Sequence, residues 1–165
     1  MLVDMGVGSY TRQYFDKDTR YTIVECSSRG HSVPIVDGTV QFYGREAAAK
    51  STKFENGVFY TDIGGAYRCD GLEGIKRSFA FTEKAVTLTD VFAYSGGGEI
   101  IDRIVTLYPP KIEGDTVTVE DVSIRFDPGL CEATVGSEVR QKEGVCYFID
   151  FKLLPGVKKF VCEIQ

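Results

Sequence analysis

The 165-residue chain holds one histidine, no tryptophan, two methionines and five prolines. The single histidine is the most restrictive scarcity. Any Ser–His–Asp or Cys–His mechanism, and any metal site using imidazole, must pass through His31 or borrow from another polypeptide. Long apolar runs are missing too, none approaching the roughly 18 residues of a membrane-spanning helix. Basic clusters do not exceed pairs such as Lys76-Arg77 and Lys158-Lys159, and 24 acidic against 19 basic side chains give a formal charge of -5. That balance argues against a surface built to neutralise phosphates, so neither nucleic acid nor membrane is expected as a partner. Five cysteines, at 26, 69, 131, 146 and 162, are odd in number and lack C-x-x-C spacing, which speaks against a zinc ribbon or a complete disulfide framework. Most sit in apolar strand-like runs and read as small buried thiols, which favours a reducing compartment while leaving localisation open. The opening Met1-Leu-Val-Asp-Met-Gly has no basic leader followed by an apolar stretch, so no export signal is expected in it.

What the sequence has in quantity is short alternating segments. Val86, Leu88, Phe92 and Tyr94 share one parity, the period-two signature of a half-buried strand, and 101–107 and 147–153 repeat it. Between Thr116 and Phe126 the alternation changes phase across Glu120-Asp121, which predicts a bulge or turn there. Eighteen glycines and the prolines punctuate these runs, and Asn56-Gly57 between two apolar stretches is the strongest hairpin signal. Helix is nearly absent: Arg45–Lys50 has helical propensity but is shorter than two turns, and it is as readily drawn into a strand. Ten to thirteen strands without crossover helices predict an all-β fold, an antiparallel two-layer β-sandwich forming a single domain over 1–165.

The chemistry-bearing residues concentrate in the first quarter. Asp4 ends an apolar strand and His31 lies in a glycine-preceded turn; a carboxylate and an imidazole from neighbouring strand ends are ligands of the kind Zn²⁺ uses. Two ligands do not close a site. By composition alone the plainer reading is favoured, with Asp4 capping a turn and His31 bonded to backbone. Tyr10, Tyr14 and Tyr21 qualify as proton donors, although tyrosines in a sandwich commonly serve packing. Asp90 shares the inward parity of its strand and therefore needs a buried partner.

The order Val-Asp-x-Gly-x-Gly-x-Tyr, then Arg20-Tyr21, then His31-Ser-x-Pro-x-Val-x-Gly38 and Gln41 resembles the C-terminal β-domain of the heparinase II/III-like polysaccharide lyases. The resemblance continues through Asp62-Ile-Gly-Gly-Ala-Tyr67, Ile75–Ser78, Val86–Phe92 and Arg103-x-x-x-Leu107-Tyr-Pro-Pro110, so it spans residues 2 to 110. It implies a β-sandwich that, in the complete enzyme, follows an (α/α) toroid and takes part in β-elimination on uronic-acid-containing polysaccharides. It also implies that Asp4 and His31 match two of three protein ligands of a structural zinc, the third being an upstream histidine. A tyrosine between the Asp and His motifs reaches the active cleft in that family; Tyr14 and Tyr21 are best placed by order, with Tyr10 third. Ser32 stands where the family usually has Asn after the histidine. Because the toroid residues and an Asn-His-x-His-type segment would precede Asp4, the chain is expected to be a fragment without its N-terminal toroid and inactive alone. A non-catalytic carbohydrate-binding or assembly module is the alternative, and a homodimer through an exposed sheet edge is a third expectation.

Overall fold

The computed structural model describes residues 2–165. Twelve strands make two antiparallel sheets, the all-β sandwich that the alternation predicts. The smaller has the order β1 (Ile35–Val36), β6 (Ile100–Thr106), β11 (Val145–Leu153), β10 (Cys131–Val139). The larger runs β2 (Ser51–Glu55), β3 (Val58–Asp62), β4 (Leu72–Phe81), β5 (Val86–Tyr94), β12 (Lys159–Ile164), β9 (Val122–Phe126), β8 (Thr116–Val119), β7 (Lys111–Glu113). Asn56 and Gly57 adopt positive φ of 50° and 77°, the backbone a two-residue hairpin needs, and they join β2 to β3. The phase change at Glu120-Asp121 is the β8–β9 turn, with Glu120 at φ 54°. Arg45–Lys50 takes neither helix nor strand: it is a loop tied down by the Lys50 N–H to Asp62 O and by Lys50 Nζ to Glu73 O. So short a run cannot offset helix nucleation.

The core lies between the sheets. Ile104, Ile149, Phe151 and Leu153 of the smaller sheet meet Ile75, Leu88, Phe92 and Phe160 of the larger. The rings of Phe126, Phe151 and Phe160 form a chain with centroid spacings of 5.2 and 4.9 Å. Each such fully buried side chain contributes about 1.5–3 kcal/mol.

A second apolar patch lies on the opposite face of the smaller sheet, where Val105, Cys146 and Phe148 carry the other parity and are covered by Met5 and Val24. The covering segment, Asp4 to Pro34, has no strand. It folds as a one-turn helix α1 (Arg12–Phe15) and 3₁₀ turns at Arg20–Thr22, Val24–Cys26 and Ser28–Gly30. Charged contacts fasten it. Glu25 is buried and its carboxylate accepts the N–H groups of Gln141 and Lys142, Arg29 pairs bidentately with Glu138, and Arg103, itself paired with Asp150, donates to Arg29 O. This segment carries all five residues singled out for metal binding or proton transfer.

Candidate functional site

Asp4 and His31 meet because both their segments run along the side of β6 that faces away from β11. Leu2 bridges Thr106, Ile35 pairs with Ile101, and between them the Ser32 hydroxyl accepts the Val105 N–H. His31 Nδ1 then lies 2.9 Å from Asp4 Oδ2, and its Nε2 lies 3.3 Å from Glu25 O. Both ring nitrogens face oxygen acceptors, so both bonds are made together only by the imidazolium. Asp4 Oδ1 accepts the Gly6 N–H at 2.6 Å. The turn cap and the His31 contact are therefore both present in the same carboxylate. Partial burial works to raise the Asp4 carboxyl, but the hydrogen bonds from His31 and Gly6 outweigh it and hold it below its ordinary value. The Asp4 side chain is 71% exposed and that of His31 28%, so solvent screens the pair and its contribution to stability is small. The pair lines a cleft of about 400 Å³ together with Val33, Arg77, Phe79, Leu88 and Ile104.

The turn behind His31 is anchored from the core. Arg77 Nη1 donates to Ser32 O at 2.6 Å, and the buried Tyr67 hydroxyl donates to Pro34 O at 2.7 Å. Arg77 in turn binds Asp90 opposite it on β5 through Nε and Nη2, and reaches across to Asp102 of the smaller sheet at 3.2 Å. Asp90 thus points inward to a buried partner, as its parity requires. This inter-sheet cluster fixes the backbone that presents His31.

The three tyrosines occupy different settings. Tyr14 is buried, and its phenol oxygen accepts from Arg20 Nη2 at 2.9 Å, leaving its own proton free to be given. Tyr21 stacks almost parallel on Tyr43, with centroids 3.7 Å apart, beside a cleft of about 500 Å³ that also includes Ser28 and Gln41. Tyr10 is 73% exposed and packs on Tyr14 at 4.9 Å and Phe15 at 5.8 Å. Structure therefore groups Tyr10 and Tyr14 with Arg20 and pairs Tyr21 with Tyr43, the Tyr21 ring lying 5.9 Å from the Arg20 guanidinium. Tyr43 and Arg77 are the residues that sequence reasoning passed over. Tyr43 lies in a loop without periodicity, and the inward parity of Arg77 was the signal available for it.

The donor set can be tested against a metal. Zinc ligands lie about 2.0–2.1 Å from the ion, which separates neighbouring donors of a tetrahedron by roughly 3.3 Å. His31 Nδ1 and Asp4 Oδ2, hydrogen-bonded at 2.9 Å, stand closer than two such corners and would have to part slightly to share an ion. Among the described residues no group of three or more His, Cys, Asp or Glu side chains comes together. The described residues alone bring two zinc-type ligands together, not a closed site.

No protein-family model and no curated protein matches the chain. Solved structures do. Heparan sulfate lyase HepC from Pedobacter heparinus matches at TM-score 0.72 with 17% identity, over 99% of this chain and 28% of that one. A heparinase III with methylated lysines matches at TM-score 0.71 with 14% identity, over 100% and 27%. Another heparinase III crystal structure gives TM-score 0.66 at 13% identity, over 99% and 27%. This chain thus spans little more than a quarter of the proteins it matches, and at such identities the likeness is one of fold. Its architecture is that of the C-terminal β-sandwich of heparinase III-like lyases.

Proposed function

We propose that this chain is the β-sandwich part of a polysaccharide lyase that cleaves uronic-acid-containing glycans by β-elimination, acting with a helical toroid domain. The observation that carries the reading is the contact of Asp4 with His31 on one sheet edge, in a chain that matches heparan sulfate lyases over its whole length. β-Elimination neutralises the uronate carboxylate, removes the C5 proton and breaks the C4–O bond as a proton reaches the leaving oxygen. Tyr14, with a free hydroxyl proton beside a guanidinium, suits the last step best; Tyr21 and Tyr10 are the other candidates. Asp4 and His31 would be two of the residues holding a structural zinc, with a third ligand, a histidine, from outside this sequence. The ion's part would be to hold the two segments at the β6 edge.

On this reading the chain alone binds a uronate glycan but forms no product absorbing in the ultraviolet as an unsaturated uronate. Robust product formation by this chain would show that the remaining catalytic groups are not needed from elsewhere and would overturn the division of labour. A second reading, a carbohydrate-binding module without chemistry, is favoured by the exposed rings of Tyr10, Phe15 and Tyr43. Glycan-array binding that persists when Asp4, His31, Tyr14 and Tyr21 are all substituted would select it.

A further inference from the structure

Five arginines are at least partly buried: Arg20, Arg29, Arg77, Arg103 and Arg140. Four face a carboxylate: Arg29 pairs with Glu138 at 2.8 Å, Arg77 with Asp90, Arg103 with Asp150 at 2.7 Å, and Arg140 approaches Glu25 at 3.8 Å. Arg20 has no such partner among the described residues, in a chain whose acids outnumber its bases. Of the two acids just before it, Asp18 makes no ion pair with it among the described residues, and Asp16 Oδ1 accepts from the Asp18 N–H and from the N–H and hydroxyl of Thr19. The Arg20 guanidinium lies 4.2 Å from the ring centroid of Tyr14 and 5.9 Å from that of Tyr21. Nη2 donates to the Tyr14 oxygen, and Nε is buried with no hydrogen-bond partner.

A partly desolvated cation with unused donors is costly, and an oxyanion offsets that cost through charge-assisted bonds to the planar fork. We infer that Arg20, flanked by Tyr14 and Tyr21, is an anchor for the oxyanion of an acidic sugar, either a uronate carboxylate or a sulfate ester. The inference rests on the glycan-acting role proposed above and names the group of the substrate that this corner receives. The tyrosine rings offer apolar faces to the pyranose, while the guanidinium fixes its charged substituent.

The test is a titration of this chain, followed by nuclear magnetic resonance at the arginine Nε–Hε signals, with two tetrasaccharides of one backbone: unsulfated heparosan and heparan sulfate. The Arg20 signal is expected to move on binding, and Arg20→Gln to weaken affinity by about ten-fold or more. Arg12→Gln, which removes an exposed arginine, is expected to change affinity less than about two-fold. Loss on heparosan as large as on heparan sulfate assigns the anchor to the carboxylate; loss on heparan sulfate alone assigns it to the sulfate. An Arg20 signal that stays fixed while others move, or equal effects of Arg20→Gln and Arg12→Gln, would overturn the inference alone. Failure of the unaltered chain to bind either sugar would overturn the glycan-acting role with it. The wild-type Arg20 signal decides the question even if Arg20→Gln does not fold.

Discussion

Asp102 lies wholly buried beside Asp90, with one arginine between them and its Oδ2 without a hydrogen-bond partner. Burial first, and then the Asp90 charge, push its carboxyl well above the ordinary range against the pull of Arg77. A carboxyl raised in this way keeps its proton in the fold at a pH where the unfolded chain releases it. Its contribution is therefore fully present below about pH 4, the unfolded carboxyl range, and is lost as pH rises through the folded value. Asp102→Asn removes that loss, so its stability relative to wild type should be greater at neutral pH than in acid; urea unfolding at several pH values measures it. Asp90→Asn strips Arg77 of its bidentate partner and should cost about 3–5 kcal/mol in the same assay. The exposed Asp4–His31 pair behaves differently: Asp4→Asn should cost under about 1 kcal/mol, so a large functional loss in that variant would not be a folding effect.

At the scale of the element, the 3₁₀ turn Ser28–Gly30 delivers His31 because Gly30 has no side chain. A Cβ there would stand 2.3 Å from Val24 O and 2.6 Å from Met5 Cε. Gly30→Ala should therefore destabilise by about 1–3 kcal/mol and shift the His31 ring resonances, because the turn must move away from the segment it packs on. That constraint was not legible in the sequence, where Gly30 reads as one turn glycine among many. The hairpin at Asn56-Gly57 and the inward parity of Asp90 were legible, since both follow from local backbone geometry. The Tyr21–Tyr43 stack joins two loops 22 positions apart in the sequence, and no periodicity predicts such a pair.

For the molecule as a whole, Cys131 and Cys162 are buried between the sheets and Cys146 beneath the strandless covering segment, while Cys26 and Cys69 stay partly accessible. Burial pushes the Cys131 thiol up to about 11, with Asp127 adding to it, and also raises Cys162 and Cys146. Native alkylation near neutral pH should thus modify Cys26 and Cys69 and spare the other three, while denatured protein takes up label at all five; intact-protein mass spectrometry reads the difference. A homodimer through edge pairing would use β10, the longest outer strand, where Val135 and Val139 are exposed. Light scattering at high concentration should then show a dimer that Val135→Lys returns to monomer.

Sequence by itself determined the class of fold, because a two-residue period, abundant turn residues and the lack of helical stretches leave antiparallel sheets as the way to bury the apolar face. It also marked Asp4, His31 and the three tyrosines. Tertiary structure decided which of these share a neighbourhood. The β6 edge brings Leu2 and Ile35 alongside one strand and so sets Asp4 against His31, and the strandless layer over the smaller sheet leaves Arg20 without a carboxylate partner among the described residues. Those juxtapositions come from long-range packing and charge pairing across sheets, and a local pattern of residues carries no record of them.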